Sequence, residues 1–208
     1  MAGIKALFLN TSLKASSDTS NTSALLQKAG EWLQKENVSV EEVRIADYEI
    51  KPGIEPDMGS GDEWPSILDK VKQADIIVIG TPIWLGELSS IAKRVIERLS
   101  ASSDETNEKD QSIYYNKVAG VVITGNEDGA KDSARSILYA LQHIGFMIPP
   151  NADTYWVGEA GPGPSYIEAG QDSEFTKKNT RTMAYNLAHF ARMLKDHPIP
   201  AEGNTVNS

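Results

Sequence analysis

The chain has 208 residues, of which 29 are acidic and 20 are basic, so its formal charge is −9 at neutral pH. This length suits one domain with a buried core. Because the chain contains no cysteine, disulfides, thiolate zinc sites, iron–sulfur clusters and a cysteine nucleophile are excluded within it. The acidic balance argues against a nucleic-acid partner, since phosphate backbones are bound by clustered lysines and arginines.

Short apolar runs alternate with longer amphipathic stretches, a pattern typical of successive βα units around a parallel sheet. The predicted strands are residues 4–9, 38–45, 76–80, 118–123 and 154–157. The predicted helices are residues 22–35, 64–74, 88–99, 130–144 and 173–194. Because parallel crossovers are almost always right-handed, this alternation predicts an α/β three-layer sandwich, in which helices cover both faces of a five-stranded parallel sheet.

Three segments show neither a helical nor a strand period. Residues 100–116 form a polar insertion, and residues 158–170 are rich in glycine and proline, which predicts a loop or flap. Residues 197–208 are mostly polar and predict a flexible tail. We therefore expect one domain over residues 1–196, followed by this tail.

No stretch reaches the roughly 18 consecutive apolar residues that a membrane-spanning helix needs. The first apolar run, residues 4–9, is short for a signal peptide and is followed directly by Asn10. We therefore expect a cytoplasmic protein with no membrane partner.

The loop after the first predicted strand is rich in hydroxyl groups. It reads Asn10-Thr11-Ser12-Leu13-Lys14-Ala15-Ser16-Ser17-Asp18-Thr19-Ser20-Asn21-Thr22 and leads into a helix. In open α/β sheets ligands bind beyond the carboxyl ends of the strands, and a helix start offers free N–H groups to a phosphate. The alternative is a helix cap within a polar surface loop. No G-x-G-x-x-G or G-x-x-x-x-G-K-[ST] motif is present, which argues against a dinucleotide site or a nucleoside triphosphate site.

Two further loops follow predicted strands. Residues 80–89 contain Trp84, which would offer a flat apolar surface to a planar ligand if it is exposed, and would otherwise belong to the core. Residues 124–129 contain two glycines, which would let the backbone approach a ring closely, or would form a turn that caps the next helix. In that turn we expect Glu127 and Asp128 to be solvated.

Together, the hydroxyl loop, the aromatic turn and the glycine turn resemble the flavodoxin-like NAD(P)H-dependent FMN reductases over nearly the whole chain. Residues 81–87 are similar to the family's [ST]-P-[IV]-[YW]-x-[GS] turn, and residues 117–130 are similar to its glycine-containing strand and turn. The first loop matches the pattern S-x-[KR]-x(n)-[SGN]-N-[ST], with a spacer that lacks the family's common glycine.

The resemblance implies FMN as the cofactor and NADPH or NADH as the reductant. The residues that it implies for the FMN phosphate are Ser12, Lys14, Ser20, Asn21 and Thr22. The residues that it implies around the ring and the ribityl chain are Pro82, Ile83, Trp84, Leu85 and Gly86 on one side, and Thr124, Gly125, Asn126 and Gly129 on the other. It also implies a homodimer or a homotetramer.

No side chain is predicted to be catalytic, because the cofactor carries the chemistry in such enzymes. No metal site is expected either, since the three histidines have no metal-ligand spacing. We expect Trp156 to belong to the core rather than to the ligand site. Tyr114 and Tyr115, in the insertion, are predicted to be exposed and to form a subunit contact or a substrate wall.

The resulting hypothesis is an FMN-dependent oxidoreductase, in which a hydride passes from the pyridine nucleotide through the flavin to a small-molecule acceptor such as a quinone or a free flavin. Two alternatives remain open. The acidic composition also suits a flavodoxin-type electron-transfer protein with a protein partner. A non-catalytic flavin-binding domain would share the same motifs.

Overall fold

The computed structural model describes residues 3–206. Its sheet consists of strands β1 Ile4–Asn10, β2 Val38–Arg44, β3 Ile76–Trp84, β4 Glu87–Leu88, β5 Val118–Gly125 and β6 Asp153–Val157. Five of them are parallel and lie in the order β2-β1-β3-β5-β6, and β4 pairs with β3. The helices are α1 Asn21–Lys35, α2 Trp64–Gln73, α3 Ser90–Ser100, α4 Ala130–His143 and α5 Glu174–Asp196. This strand order is that of the flavodoxin-like fold, so the predicted fold class is confirmed.

The central strands β1, β3 and β5 bury both of their faces, which explains why their sequences are almost continuously apolar, whereas the edge strand β2 exposes Ser39, Glu41 and Glu42. In β1, Leu7 and Leu9 point into a core that is closed by α2, α3 and α4, whereas Phe8 points into a second core that is closed by α1 and α5. The same alternation places Ile77 on the first face and Val78 on the second. The two cores fix the sheet and therefore the positions of the loops at the carboxyl ends of its strands.

The sheet has one strand that the sequence did not predict. Strand β4, Glu87–Leu88, pairs antiparallel with the end of β3 after a tight bend. At the bend, Leu85 and Gly86 have positive φ angles of 53° and 82°. Tight hairpin bends are usually marked by Asn-Gly or Asp-Gly, and a Leu-Gly pair does not carry that signal.

The insertion over residues 100–116 is irregular, as predicted, but the prediction that Tyr114 is exposed was wrong. Tyr114 is fully buried, with its ring stacked on Phe146 at 4.8 Å between centroids and its hydroxyl donating to the Leu99 carbonyl at 2.9 Å. The insertion folds back over the end of α3, so an aromatic residue within a polar sequence still enters the core. Tyr115 is half-buried.

The tail contacts the insertion within the described residues. The Gln111 side chain donates to the Ile199 carbonyl at 3.3 Å, and the Ile199 N–H donates to the Asn116 side chain at 2.7 Å. The flexibility expected for the tail stays a prediction, and residues 207–208 lie outside the described part of the chain.

The connection between β2 and α2 is held by a buried ion pair. Arg98 of α3 lies 2.8 Å from the Asp62 carboxylate, both side chains are fully buried, and Arg98 also donates to the Lys51 carbonyl at 2.6 Å. Burial by itself raises the pKa of Asp62, but the hydrogen bonds from Arg98 and from backbone N–H groups outweigh it and lower the pKa to about 2.

Within residues 3–206, no helix is long and apolar enough to cross a membrane. The same residues contain no group of three or more histidine or carboxylate side chains that could hold a metal ion.

Candidate functional site

A cleft of about 500 Å³ lies at the carboxyl ends of β1, β3 and β5. Most of the residues that the resemblance implies line this cleft. They are Ser12, Lys14, Ser20, Asn21, Thr22, Pro82, Ile83, Trp84, Thr124, Gly125 and Asn126. Three implied residues do not line it, namely Leu85, Gly86 and Gly129. Residues far apart in the sequence are therefore brought together by the parallel sheet, as the fold predicts.

The hydroxyl-rich loop, residues 11–20, is held by the end of β2 rather than by a glycine turn. The Arg44 guanidinium donates to the carbonyls of Lys14 and Ala15 at 2.9 and 3.1 Å. The Ser16 N–H donates to the Asp47 carboxylate at 2.8 Å, and the Ser16 hydrogen bonds lower the pKa of Asp47. The charged side chains of Arg44 and Asp47 thus fix the backbone of the loop. Neither residue was singled out from the sequence.

The start of α1 forms one end of the cleft. The Ser20 hydroxyl caps the helix by accepting from the Ser23 N–H at 3.2 Å. The N–H groups of Asn21 and Thr22 lie in the first turn of α1, where the helix has no carbonyl that could accept from them. They are therefore available to a ligand. Lys14 lies across the loop, with its ammonium 3.5 Å from the Thr19 carbonyl. This end of the cleft combines N–H groups, hydroxyls and one cation, which is the chemistry that binds a phosphate.

A pair of hydroxyls connects this end to β5. The Thr22 and Thr124 side-chain oxygens lie 2.9 Å apart, and both residues are buried. The contact fixes the first turn of α1 against the end of β5.

The bend after β3 presents an exposed aromatic ring to the cleft. The Trp84 residue is 55% exposed, which agrees with the ligand-facing interpretation rather than with a core position. The Leu85 N–H donates to the Glu127 carboxylate at 2.8 Å, and Glu127 itself lines the cleft. Glu127 is half-buried, and its carboxylate also supports the neighbouring bend, a role that the sequence did not indicate. Asp128 is exposed, as expected.

Gly86 and Gly129 shape the bend although they do not line the cleft. A Cβ atom added to Gly129 would lie 2.3 Å from the Gly86 carbonyl oxygen, and Gly129 has a φ of 127°. The two loops can approach this closely only because position 129 has no side chain. These glycines thus have a structural role that the sequence motif alone did not reveal.

Trp156 belongs to both the core and the cleft. It is buried, at 9% exposure, and it also lines the cleft at the end of β6. The two positions that we treated as alternatives are therefore compatible, because one edge of a large ring can pack inside while the other faces a ligand. The cleft is completed by three residues that the sequence did not single out, namely Leu13, Thr19 and Gly161.

The arrangement fits FMN in its chemistry. One end offers hydroxyls, helix N–H groups and the Lys14 ammonium to a phosphate, and the other offers Ile83, Trp84 and Trp156 to a flat ring. The volume lies within the roughly 300–1,000 Å³ that small-molecule sites occupy.

Comparisons with known proteins are consistent with this geometry. The family model described as NADPH-dependent FMN reductase matches residues 4–161. A Streptomyces davaonensis protein named 8-demethyl-8-aminoriboflavin-5'-phosphate synthase is 42% identical to this chain, and the match covers 96% of this chain and 81% of the relative. The crystal structure of RosB with the bound intermediate 8-demethyl-8-formylriboflavin-5'-phosphate has a TM-score of 0.87 and 40% identity, covering 94% of this chain and 82% of that one.

A third relative is much longer than this chain. A Mycobacterium bovis protein named divalent metal cation transporter MntH is 46% identical over 99% of this chain, but this chain spans only 31% of that protein.

Proposed function

The chain belongs to the NADPH-dependent FMN reductase family, and on that premise we propose that it binds FMN in the cleft and passes a hydride from NADPH or NADH through the flavin to a small acceptor such as a quinone or a free flavin. The family's description names both FMN and NADPH, which confirms the cofactor and the reductant predicted from the sequence. The observation that carries the proposal for this cleft is the pairing of a phosphate-binding end with an aromatic end in one cavity.

Each end of the cleft has a distinct role in this proposal. The phosphate is bound by the Lys14 ammonium and by the hydroxyls of Ser12, Ser20 and Thr22. These contacts determine how deeply FMN sits in the cleft. Trp84 covers the ring. Bound FMN supplies the hydride chemistry, while the protein contributes position and the exclusion of water.

The phosphate assignment is tested with Thr22→Val, which keeps the shape of the side chain and removes its hydroxyl. Because hydrogen bonds to charged groups are worth about 1.5–3 kcal/mol, we expect FMN to bind at least about tenfold more weakly. The matched control is Thr154→Val, because the Thr154 hydroxyl is also buried and lies 2.9 Å from another threonine hydroxyl, that of Thr180, but away from the cleft. Equal FMN affinity in both variants would argue against the phosphate site.

The reductase activity is tested by steady-state oxidation of NADPH with a quinone or free FMN as the acceptor. Turnover that depends on bound FMN supports the proposal. If the protein binds FMN but no acceptor supports turnover, the flavodoxin-type electron carrier becomes the better description. If the protein does not bind FMN, both descriptions fail.

One observation favours a second candidate function. The relative from Streptomyces davaonensis is named as a synthase of a modified flavin phosphate, and the similar RosB structure holds an 8-formyl flavin phosphate. We therefore propose, as the alternative, that a flavin phosphate is the substrate in this cleft and is modified on its ring. Mass spectrometry of the flavin recovered after incubation separates the two candidates, since a reductase returns FMN with its mass unchanged.

The oligomeric state belongs to the same proposal. Leu13, Trp84 and Leu85 at the mouth of the cleft are 47%, 55% and 91% exposed, so they form an apolar rim that a second subunit would cover. We expect a homodimer or a homotetramer, and sedimentation equilibrium measures this directly. A monomer at micromolar concentration would contradict it.

A further inference from the structure

The segment between β6 and α5, residues 158–170, forms a flap at one side of the cleft. Both of its ends pack tightly on Trp156. A Cβ atom added to either Gly158 or Gly170 would lie 2.5 Å from the indole ring. Between these ends the chain is largely exposed, and Gly161 lines the cleft. The flap therefore has fixed ends and an exposed middle part.

Two asparagine side chains hold the flap, one at its middle part and one at the helical turn that follows. The Asn126 amide nitrogen donates to the carbonyls of Gly163 and Pro164 at 2.9 and 3.1 Å. The Asn21 amide oxygen accepts from the Ile167 N–H at 3.0 Å. Asn126 follows β5 and Asn21 begins α1, so the flap is attached to two of the loops that form the cleft.

The C-terminal part of the flap, residues 165–170, is held by contacts of its own. The residues from Tyr166 to Gly170 form a single π-helical turn, which begins with a reciprocal cap between Ser165 and Glu168. The Ser165 N–H donates to the Glu168 carboxylate at 2.8 Å, and the Ser165 hydrogen bonds lower the pKa of Glu168. Tyr166 is buried and packs edge-on against Trp156, at 5.8 Å between centroids. Movement of the flap is therefore expected in residues 159–164.

The hydrogen bonds also determine which atom of each asparagine side-chain amide faces the flap. Asn126 must direct its NH₂ group, and not its oxygen, toward the two flap carbonyls. Asn21 must direct its oxygen, and not its NH₂ group, toward Ile167. The sequence resemblance implied both residues as cofactor ligands, whereas the structure engages both side chains with the protein's own flap.

We propose that Asn126 and Asn21 are positioning residues that hold the flap over the mouth of the cleft, so that the flap controls the entry and release of the flavin. Their backbone groups can still face FMN, but their side chains act on the flap. The control of flavin release rests on the proposed function, whereas the attachment of the flap does not.

The attachment is tested by making the same chemical change at both positions. Asn126→Asp removes the donor that the flap carbonyls need, whereas Asn21→Asp keeps the acceptor that the Ile167 N–H needs. In the flavin-free full-length protein, we expect Asn126→Asp to accelerate amide hydrogen exchange of Ser165 by about tenfold, because its hydrogen-bonded N–H belongs to the same peptide group as the Pro164 carbonyl that Asn126 binds. Asn21→Asp should leave this exchange within about twofold of wild type. If the two variants behave alike, the proposal is overturned.

The control of flavin release is tested with Asn126→Ala, which introduces no charge. We expect the rate of FMN release, followed by the recovery of FMN fluorescence, to rise by about tenfold because the flap opens more often. The matched control is Asn186→Ala on α5, since this amide donates to the Pro150 carbonyl at 2.6 Å and lies away from the cleft. It should leave the release rate unchanged, and equal release rates in the two variants would overturn the gating role.

The outcomes separate the two proposals. If the wild-type protein fails to bind FMN, the proposed function falls while the exchange result still decides the attachment of the flap. If the wild-type protein binds FMN but Asn126→Asp leaves flap exchange unchanged, the flap proposal falls alone.

Discussion

Arg44 connects the edge of the sheet to the loop that we assign to the phosphate, and Arg44→Met tests this connection. The variant keeps an apolar stem of similar length but removes both hydrogen bonds to the carbonyls of Lys14 and Ala15. The Arg44 Nε atom is buried without a hydrogen-bond partner among residues 3–206, so its removal leaves no new unsatisfied donor. We therefore expect the loop to lose its order while the sheet stays intact.

The size of the effect follows from these contacts. A hydrogen bond to a charged group contributes about 1.5–3 kcal/mol. Lys14 is exposed and Ala15 is half-buried, so water can replace part of the hydrogen-bond energy that the variant loses. We therefore take a loss of about 2 kcal/mol for both bonds together. At about 1.4 kcal/mol per factor of ten, FMN should bind roughly 30-fold more weakly.

The assay is a titration of the flavin-free protein with FMN, followed by the quenching of flavin fluorescence. Arg192→Met is the matched control, because Arg192 also binds a backbone carbonyl, that of Glu36, but does so away from the cleft. The control should keep wild-type affinity. An affinity of Arg44→Met within twofold of wild type would refute the view that this arginine organises the phosphate site.

Substitutions at three other residues should change the stability of the protein or its affinity for FMN. Gly129→Ala should lower the unfolding free energy by about 2 kcal/mol, because of its positive φ and its contact with Gly86, and should lower Tm by about 4–8 °C in calorimetry; an unchanged Tm would contradict this. The stabilisation from Asp62 should be complete above its unfolded pKa of about 3.9 and lost as the pH falls through its folded pKa of about 2. Asp62→Asn should remove this pH dependence in urea unfolding and cost about 3–5 kcal/mol by leaving Arg98 unpaired; a wild-type pH profile would argue against the pair. Trp84→Ala should weaken FMN binding by about tenfold without changing Tm, since the residue is 55% exposed; unaltered affinity would remove Trp84 from the site.

The sheet could be predicted because its central strands are buried on both faces. Runs such as residues 76–79 are continuously apolar, and the helices between the runs have a clear apolar face. The ends of the elements were harder to predict. Strand β3 continues through Thr81 and Pro82 to Trp84, where the sequence no longer shows an apolar run.

The site could be predicted in outline because its ligand-facing residues follow the strands directly. Its supporting contacts could not be predicted, because they join residues that are distant in sequence. Arg44 lies 30 positions from Lys14, and Leu85 lies 42 positions from Glu127. Tyr114 shows the same limit, since local polarity suggested exposure whereas its burial depends on α3 and Phe146.

The central claim is that the cleft holds FMN so that a pyridine nucleotide can reduce it. The most direct measurement is the visible absorption spectrum of the full-length protein with FMN bound, recorded before and after NADPH is added without oxygen. The account predicts a flavin band that bleaches when NADPH is added. A protein that binds no FMN, or one whose bound flavin keeps its band with both NADPH and NADH, would contradict it.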